Sequence, residues 1–239
     1  VLDVKVGRGA FISTLKEARA LAKLMIRIGK DVGRRVTAVL SNMDQPLGRA
    51  VGNAVEVMEA IQTLRGQGPP DFVEHCLDIA AEMLILGEVA KTPEEGKTLL
   101  ARELEDGRAL EQFRVWVQAQ GGDSRVVDDL SILPSAPVVQ EVAAPRSGYL
   151  QRINAREVGL AAMSLGAGRE QKGDAIDYAV GVVLGPKMSA WVNEGDSLLT
   201  IHARDVAKAR SARERLLAAY TWADEPVSPP PLIYEIIRG

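Results

Sequence analysis

The stretch VLDVKVGRGAFIST, residues 1–14, places an apolar run directly before a glycine turn. The run Val1–Val6 is rich in β-branched residues, which predicts a buried strand. Gly7 and Gly9 then form the turn, and Ser13 or Thr14 can cap a helix that follows. The chain therefore opens with a predicted strand, a tight turn and the start of a helix.

A helix and a second strand follow this opening. Apolar residues recur with the helical period from Leu15 to Gly29, and Arg35–Leu40 reads as the next strand. Strand, helix and strand within about 40 residues form a βαβ unit. This unit predicts a parallel strand pair joined by a right-handed crossover.

Helical patterns then dominate as far as residue 120. One helix is predicted beyond Gly52, and three more over Pro70–Leu86, Pro93–Glu105 and Gly107–Gln120. The segment LPSAPVVQEVAAP, residues 133–145, contains three prolines and predicts a connector between domains. We therefore expect an α/β domain over residues 1–136, part of a mixed sheet flanked by helices, and a second domain over 137–239.

The second range changes in style to short strands bounded by glycines. SGYLQRI, AVGVVL and DSLLTI predict strands, with helices over Arg156–Leu165 and Val206–Tyr220 and a proline-rich tail. This pattern predicts a smaller α+β, barrel-like C-terminal domain. Its core is expected from Tyr149, Leu150, Ile153, Leu160, Met163, Val180, Val182, Val183, Leu184, Leu198, Leu199 and Ile201.

Composition excludes several classes of partner. The formal net charge is −3 and aromatic residues make up 4%, which argues against nucleic acid or an anionic membrane as a partner. The single cysteine, Cys76, excludes an internal disulfide and suits a reducing compartment. We therefore expect a cytoplasmic protein.

Few residues resemble a catalytic group. His75 and His202 lie far apart in sequence, so a zinc site is not expected, and GxSxG is absent. We interpret His75 beside Cys76 as a partly buried structural pair and His202 as a strand-end turn residue. GRGAF lies where a phosphate loop could lie but lacks the third glycine of the dinucleotide motif, which favours a close-packing turn.

Lys187 allows two interpretations. The stretch PKMSAWVNEGDSLLTI, residues 186–201, has a lysine in a turn, as in biotinyl or lipoyl carrier hairpins. The flanking residues do not match such carriers well. An ordinary exposed turn lysine is the favoured interpretation.

Several ordered motifs together point to one family. DVKVGRGAF, DQPLGRAVGNAVEVMEAI, AAEMLILG, AQGGDSRVVDD, APRSGYL, LGAGREQKGDAIDYAVGVVL and LLTIHA resemble thymidine and pyrimidine-nucleoside phosphorylases over nearly the whole chain. The resemblance implies cleavage of a pyrimidine nucleoside with inorganic phosphate as co-substrate, which gives the free base and a pentose 1-phosphate. It also implies a homodimer formed through a helical domain.

The resemblance also predicts which part of such an enzyme the chain represents. The family's SxxSKK and KHSTGG-like motifs, which bind base and phosphate, are not found in this sequence. The chain is therefore expected to correspond to the C-terminal half to two-thirds of a phosphorylase, without the helical domain, and to be inactive alone. An inert structural paralogue, or a carrier or binding module, remains the alternative.

Two sets of site residues are implied by the resemblance. Phe11 occupies the position that lines the base pocket, although Arg8 departs from the small residue usual in this turn. Leu47 and Ala50, through backbone carbonyls, and Glu59, through its carboxylate, resemble half of a monovalent cation site for K⁺, which oxygens near the missing phosphate loop would complete, so weak binding is expected for the chain alone. As alternatives, Phe11 is a core residue and Glu59 a solvated helix carboxylate, which is the favoured interpretation of Glu59 for the chain alone.

Overall fold

A computed structural model describes residues 1–239 as a mixed α/β protein with seven α-helices and ten strands. The helices are α1 (Leu15–Asp31), α2 (Ala54–Leu64), α3 (Pro70–Leu86), α4 (Pro93–Glu105), α5 (Arg108–Ala119), α6 (Ala155–Ala162) and α7 (Val206–Ala218). The strands are β1 (Leu2–Val6), β2 (Thr37–Asn42), β3 (Ala50–Gly52), β4 (Val138–Ala143), β5 (Gly148–Ile153), β6 (Gly181–Leu184), β7 (Trp191–Val192), β8 (Ser197–Ala203), β9 (Tyr220–Ala223) and β10 (Ile233–Arg238). The predicted α/β class with a smaller C-terminal region is confirmed.

The opening βαβ unit is confirmed. β1 pairs with β2 in parallel, with Leu2 opposite Ala38. The Thr14 side chain accepts a hydrogen bond from the backbone N–H of Glu17 at 3.3 Å and so caps α1. α1 covers one face of the two strands, and a small apolar core forms from Val4, Val6, Ala18, Ala22, Ala38 and Leu40.

The end of the chain returns to this first sheet. β10 pairs antiparallel with β2, so the strand order is β1-β2-β10. The sequence pattern predicts only a proline-rich tail here, whereas the strand begins after the three prolines at 229–231. The pairing joins residues about 195 positions apart, which no local pattern can indicate.

The helices after Gly52 follow the predicted bounds closely. α3 and α4 begin and end at the predicted residues, because a proline occupies the first turn of each helix. None of the helices combines the length and apolar composition needed to cross a membrane.

The C-terminal region is built from two antiparallel sheets. Their strand orders are β3-β6-β8-β4 and β7-β5-β9, and α6 and α7 pack against them. Eight of the twelve predicted core residues are fully buried, while Tyr149, Leu160, Met163 and Val183 are partly buried. The division at residue 137 stays a prediction, since β3 and β10 each pair with a strand from the other side of it.

The predicted connector is wrong for residues 138–143. These residues form β4, which pairs with β8, and Val142 is fully buried. The prolines of the segment, Pro134, Pro137 and Pro145, all fall outside the strand, so they bound it and leave its ladder intact.

A polar cluster fills the space between the first sheet and α3. The Asp3 carboxylate lies 2.8 Å from Nε2 of His75 and 2.7 Å from Nζ of Lys5, and the Ser41 hydroxyl donates to it. Burial raises the pKa of Asp3, but the hydrogen bonds from His75, Lys5 and Ser41 together lower it far more, to well below its ordinary value. His75 is buried while Cys76 is exposed, so the two neighbours do not form the expected structural pair.

Asp3 makes the stability of this sheet depend on acid pH. Its pKa is lower in the folded state, so the unfolded chain takes up the proton first, and stability falls as pH drops below about 4. We expect the urea midpoint of the wild type to fall more steeply than that of Asp3→Asn between about pH 5 and pH 3. Equal slopes for the two proteins would contradict this role of Asp3.

Candidate functional site

The turn after β1 rests against the β2–β3 loop, residues 43–49. Gly7 has φ 130°, and a Cβ there would lie 2.8 Å from a carboxylate oxygen of Asp44, so a larger residue would be strained and crowded. The backbone N–H of Arg8 donates to Oδ1 of Asp44 at 3.0 Å, and that of Gly9 to the Met43 carbonyl at 2.8 Å. The Phe11 ring at the tip of the turn is fully exposed. The reading of Phe11 as a core residue is therefore wrong for this chain.

Asp44 connects three parts of the fold. Its carboxylate binds the turn after β1, its backbone N–H donates to Oδ1 of Asn42 at 2.7 Å, and its carbonyl accepts from the N–H of Ala155 at 3.2 Å. Ala155 begins α6, so the turn that carries Phe11 is linked through Asp44 to the C-terminal region. Sequence analysis did not identify Asp44, although it is the first residue of the quoted DQPLG motif.

Glu59 of α2 organises the second half of the loop. Its carboxylate accepts from the N–H groups of Arg49 at 2.9 Å and Ala50 at 3.0 Å. Gly48 has φ +67°, and a Cβ there would lie 2.3 Å from Oε2 of Glu59. Burial raises the pKa of Glu59, although these backbone hydrogen bonds and the nearby Lys187 oppose the rise. Glu59 is thus not a freely solvated helix carboxylate.

Lys187 is the residue that the sequence patterns described least well. Its side chain is only 19% exposed and lies 3.0 Å from Oδ2 of Asp71, at the start of α3. Its ammonium also donates to the backbone carbonyls of Pro46 and Gly48. The interpretation as an ordinary exposed turn lysine is wrong, and these contacts also leave it poorly placed to be an acylated carrier lysine. Burial lowers the pKa of Lys187, and the Asp71 carboxylate opposes that shift.

The loop offers donors that suit an alkali cation. Between Leu47 and Ala50 lie Gly48, whose carbonyl binds Lys187, and Arg49, whose N–H binds Glu59. The Leu47 carbonyl accepts no hydrogen bond. Uncharged carbonyl oxygens and one carboxylate are hard donors that suit such an ion. Counted as ions, Glu59, Asp71 and Lys187 sum to one negative charge, which the exposed and solvent-screened Arg49 guanidinium offsets only in part. In donor chemistry Leu47, Ala50 and Glu59 suit the implied ion.

The remaining candidates do not join this site. His202 lies within β8, opposite Val139 and Gly181, and not in a strand-end turn, and burial lowers its pKa. No group of three or more His, Cys, Asp or Glu side chains is arranged to hold a metal ion. The candidate functional site therefore consists of the turn after β1, the β2–β3 loop and the side chains that bind them.

Two protein-family models match the chain in the order of its structural regions. The a/b domain of a glycosyl transferase family matches residues 1–110, and the pyrimidine nucleoside phosphorylase C-terminal domain matches residues 149–223. Two proteins called pyrimidine-nucleoside phosphorylase, from Staphylococcus aureus strains bovine RF122 / ET3-1 and USA300, are each 48% identical over 242 residues. These matches cover 99% of this chain.

The chain belongs to the pyrimidine-nucleoside phosphorylase family. It spans about half the length of these relatives, 54% in each case. The a/b-domain match contains Phe11, Asp44 and Glu59, while Lys187 lies within the C-terminal-domain match. The site described above is thus assembled from residues of both matched regions.

Proposed function

We propose that the chain is part of an enzyme that transfers the pentose of a pyrimidine nucleoside to inorganic phosphate. The identity of 48% across nearly the whole chain to pyrimidine-nucleoside phosphorylases is the observation that carries this proposal. The reaction breaks the bond between the base and the anomeric carbon and forms a bond from that carbon to a phosphate oxygen. The products are the free base and the pentose 1-phosphate.

Such a reaction depends on positioning and on stabilising charge, because its transition state resembles an oxocarbenium ion beside a phosphate dianion. Within this chain, Phe11 would supply an apolar face to the pyrimidine base. The hydrogen bonds from Arg8 and Gly9 to the β2–β3 loop would hold the turn in place and so set the position of that ring. We assign no residue of this chain to phosphate.

The proposal includes a monovalent cation site for K⁺. The carbonyls of Leu47 and Ala50 and the carboxylate of Glu59 would hold the ion, which would supply positive charge and order the loop. We also propose a cytoplasmic location and, for the longer enzyme, a homodimer formed through a helical domain, with neither nucleic acid nor membrane as a partner.

A chimaera tests the proposed reaction. The chain would replace the matching segment of the Staphylococcus aureus relative, and release of uracil and thymine from uridine and thymidine would be measured with and without phosphate. We expect phosphate-dependent release from the chimaera and none from the 239-residue chain alone. A chimaera that melts cooperatively but releases no base would contradict the proposal.

The same chimaera tests Phe11. Phe11→Ala should raise KM for the nucleoside by about 10–150-fold, because it removes an apolar contact worth roughly 1.5–3 kcal/mol. Trp116→Ala, which truncates an exposed aromatic residue outside both matched ranges, is the matched control and should leave KM unchanged. Equal KM values for Phe11→Ala and the parent chimaera would remove Phe11 from the base pocket.

A further inference from the structure

Lys187 holds the β2–β3 loop from the side of the C-terminal region. It lies in the turn between β6 and β7, and its ammonium bridges the Pro46 and Gly48 carbonyls to the Asp71 carboxylate. The next residue, Met188, donates its backbone N–H to Oε1 of Gln45 at 3.0 Å. One turn of the C-terminal region therefore contacts the loop at three positions, 45, 46 and 48.

The two carbonyls that Lys187 binds flank Leu47. The Leu47 carbonyl belongs to the peptide unit between the two that Lys187 binds, and fixing both neighbouring planar units restricts its direction, because only φ and ψ are free to rotate. Oδ2 of Asp71, which also binds the Lys187 ammonium, accepts the N–H of Gly48 at 3.3 Å, and Glu59 accepts those of Arg49 and Ala50. Residues 46–50 are therefore held by Lys187 and by two carboxylates.

Lys187 also shows that the loop accepts a cation. Two backbone carbonyls and one carboxylate surround its ammonium, which are the donor types proposed for K⁺ at Leu47, Ala50 and Glu59. Its positive charge cancels only one of the two negative charges of Asp71 and Glu59, so attraction for a second cation remains. The exposed Arg49 guanidinium weakens this attraction only partly, because water screens an exposed charge.

We infer that Lys187 is a positioning residue for the cation site, through which the C-terminal region holds the β2–β3 loop in its ion-binding conformation. The inference rests on the proposed K⁺ site for its effect on the ion. Its effect on the loop can be measured without any ion. Partners that orient metal ligands typically change metal affinity by about 10–100-fold when they are removed.

Lys187→Met removes the ammonium and keeps most of the side-chain length. In the 239-residue chain without K⁺, amide hydrogen exchange of Arg49 and Ala50 should become about ten-fold faster, because their bonds to Glu59 open more often. Exchange at Ile201 in the core should stay unchanged, which establishes that the variant is folded. Lys97→Met is the matched control. Lys97 of α4 pairs with Asp78, which lies on α3 like Asp71 but away from the loop.

K⁺ binding is then followed in the chimaera, which supplies the rest of the proposed site, by thermal stability in KCl against tetramethylammonium chloride at constant ionic strength. The wild type should gain stability selectively from K⁺, and Lys187→Met should need at least about ten-fold more K⁺ for half of that gain. Glu59→Gln removes a proposed ligand and should abolish the selective gain.

The two measurements separate the proposals. Faster exchange in Lys187→Met, with no K⁺ selectivity in the wild type, would reject the cation site and keep Lys187 as the positioning residue of the loop. Unchanged exchange at Arg49 and Ala50 would overturn the inference about Lys187, whatever K⁺ does. If Lys187→Met does not fold, Lys187→Gln decides in the same way, because it also removes the ammonium and leaves the bond from Gly48 to Asp71 in place.

Discussion

Replacing Ile201 by Ala lowers the free energy of unfolding by about 2–5 kcal/mol, the expected range for a fully buried isoleucine. Ile201 is fully buried in the centre of β8, with Gln140 of β4 on one side and Val182 of β6 on the other. It belongs to the main core of 21 buried residues. The neighbouring strands are held in place by hydrogen bonds to β8 and cannot close the cavity that the truncation leaves. The loss of unfolding free energy therefore exceeds that expected from the lost apolar contacts alone.

Urea unfolding measures this loss, and the melting temperature should fall by about 2–4 °C for each kcal/mol in a chain of this size. Val139→Ala is the matched control, since Val139 lies in the neighbouring strand with its side chain exposed, and it should cost about 0.5 kcal/mol or less. In the active chimaera, Ile201→Ala should leave the rate per folded molecule nearly unchanged. A large fall in that rate at unchanged stability would place the C-terminal core in the catalytic machinery.

Replacing Arg238 by Met is expected to cost about 3 kcal/mol. Arg238 ends β10, and its Nε donates to Glu82 of α3 at 2.9 Å, while a second guanidinium nitrogen binds the other carboxylate oxygen. The Glu82 side chain is 1% exposed, so removal of its partner leaves a buried carboxylate unpaired. This bidentate pair raises the pKa of Arg238 and joins the end of the chain to the helix that covers the first sheet.

Arg19→Met provides the comparison. Arg19 of α1 pairs at 2.5 Å with Glu235, which lies in β10 like Arg238. Both side chains are well exposed, so the expected cost in unfolding free energy is about 0–1 kcal/mol. Urea unfolding of both variants should therefore give clearly different losses. Equal small losses would mean that water or another group replaces Arg238 at Glu82.

Local patterns predicted the parts of the fold that local interactions control. The helices Pro70–Leu86 and Pro93–Glu105 appear at the predicted residues, because a proline favours the first turn of a helix and apolar residues follow the helical period. The parallel pair of β1 and β2 followed from the short strand–helix–strand order. The motifs from DVKVGRGAF to LLTIHA were also enough to indicate the family.

Pairings between distant residues could not be predicted in this way. β10 pairs with β2, and β3 pairs with β6, which lies about 130 residues later. The partners of these strands are distant in sequence and become neighbours only when the chain folds. The prolines around β4 suggested a connector, since sequence alone does not show whether a proline interrupts a strand or bounds it.

The sequence alone determined the family and the order of the helices. It also indicated the candidate site residues Phe11, Leu47, Ala50 and Glu59. Only the tertiary structure decided how these positions are held, through Asp44 to the turn after β1 and through Lys187 to the β2–β3 loop. A lysine in a turn has the same local signature whether its ammonium is solvated or buried. The difference arises because folding brings the Pro46 and Gly48 carbonyls and the Asp71 carboxylate around Lys187, about 115–140 residues away in sequence.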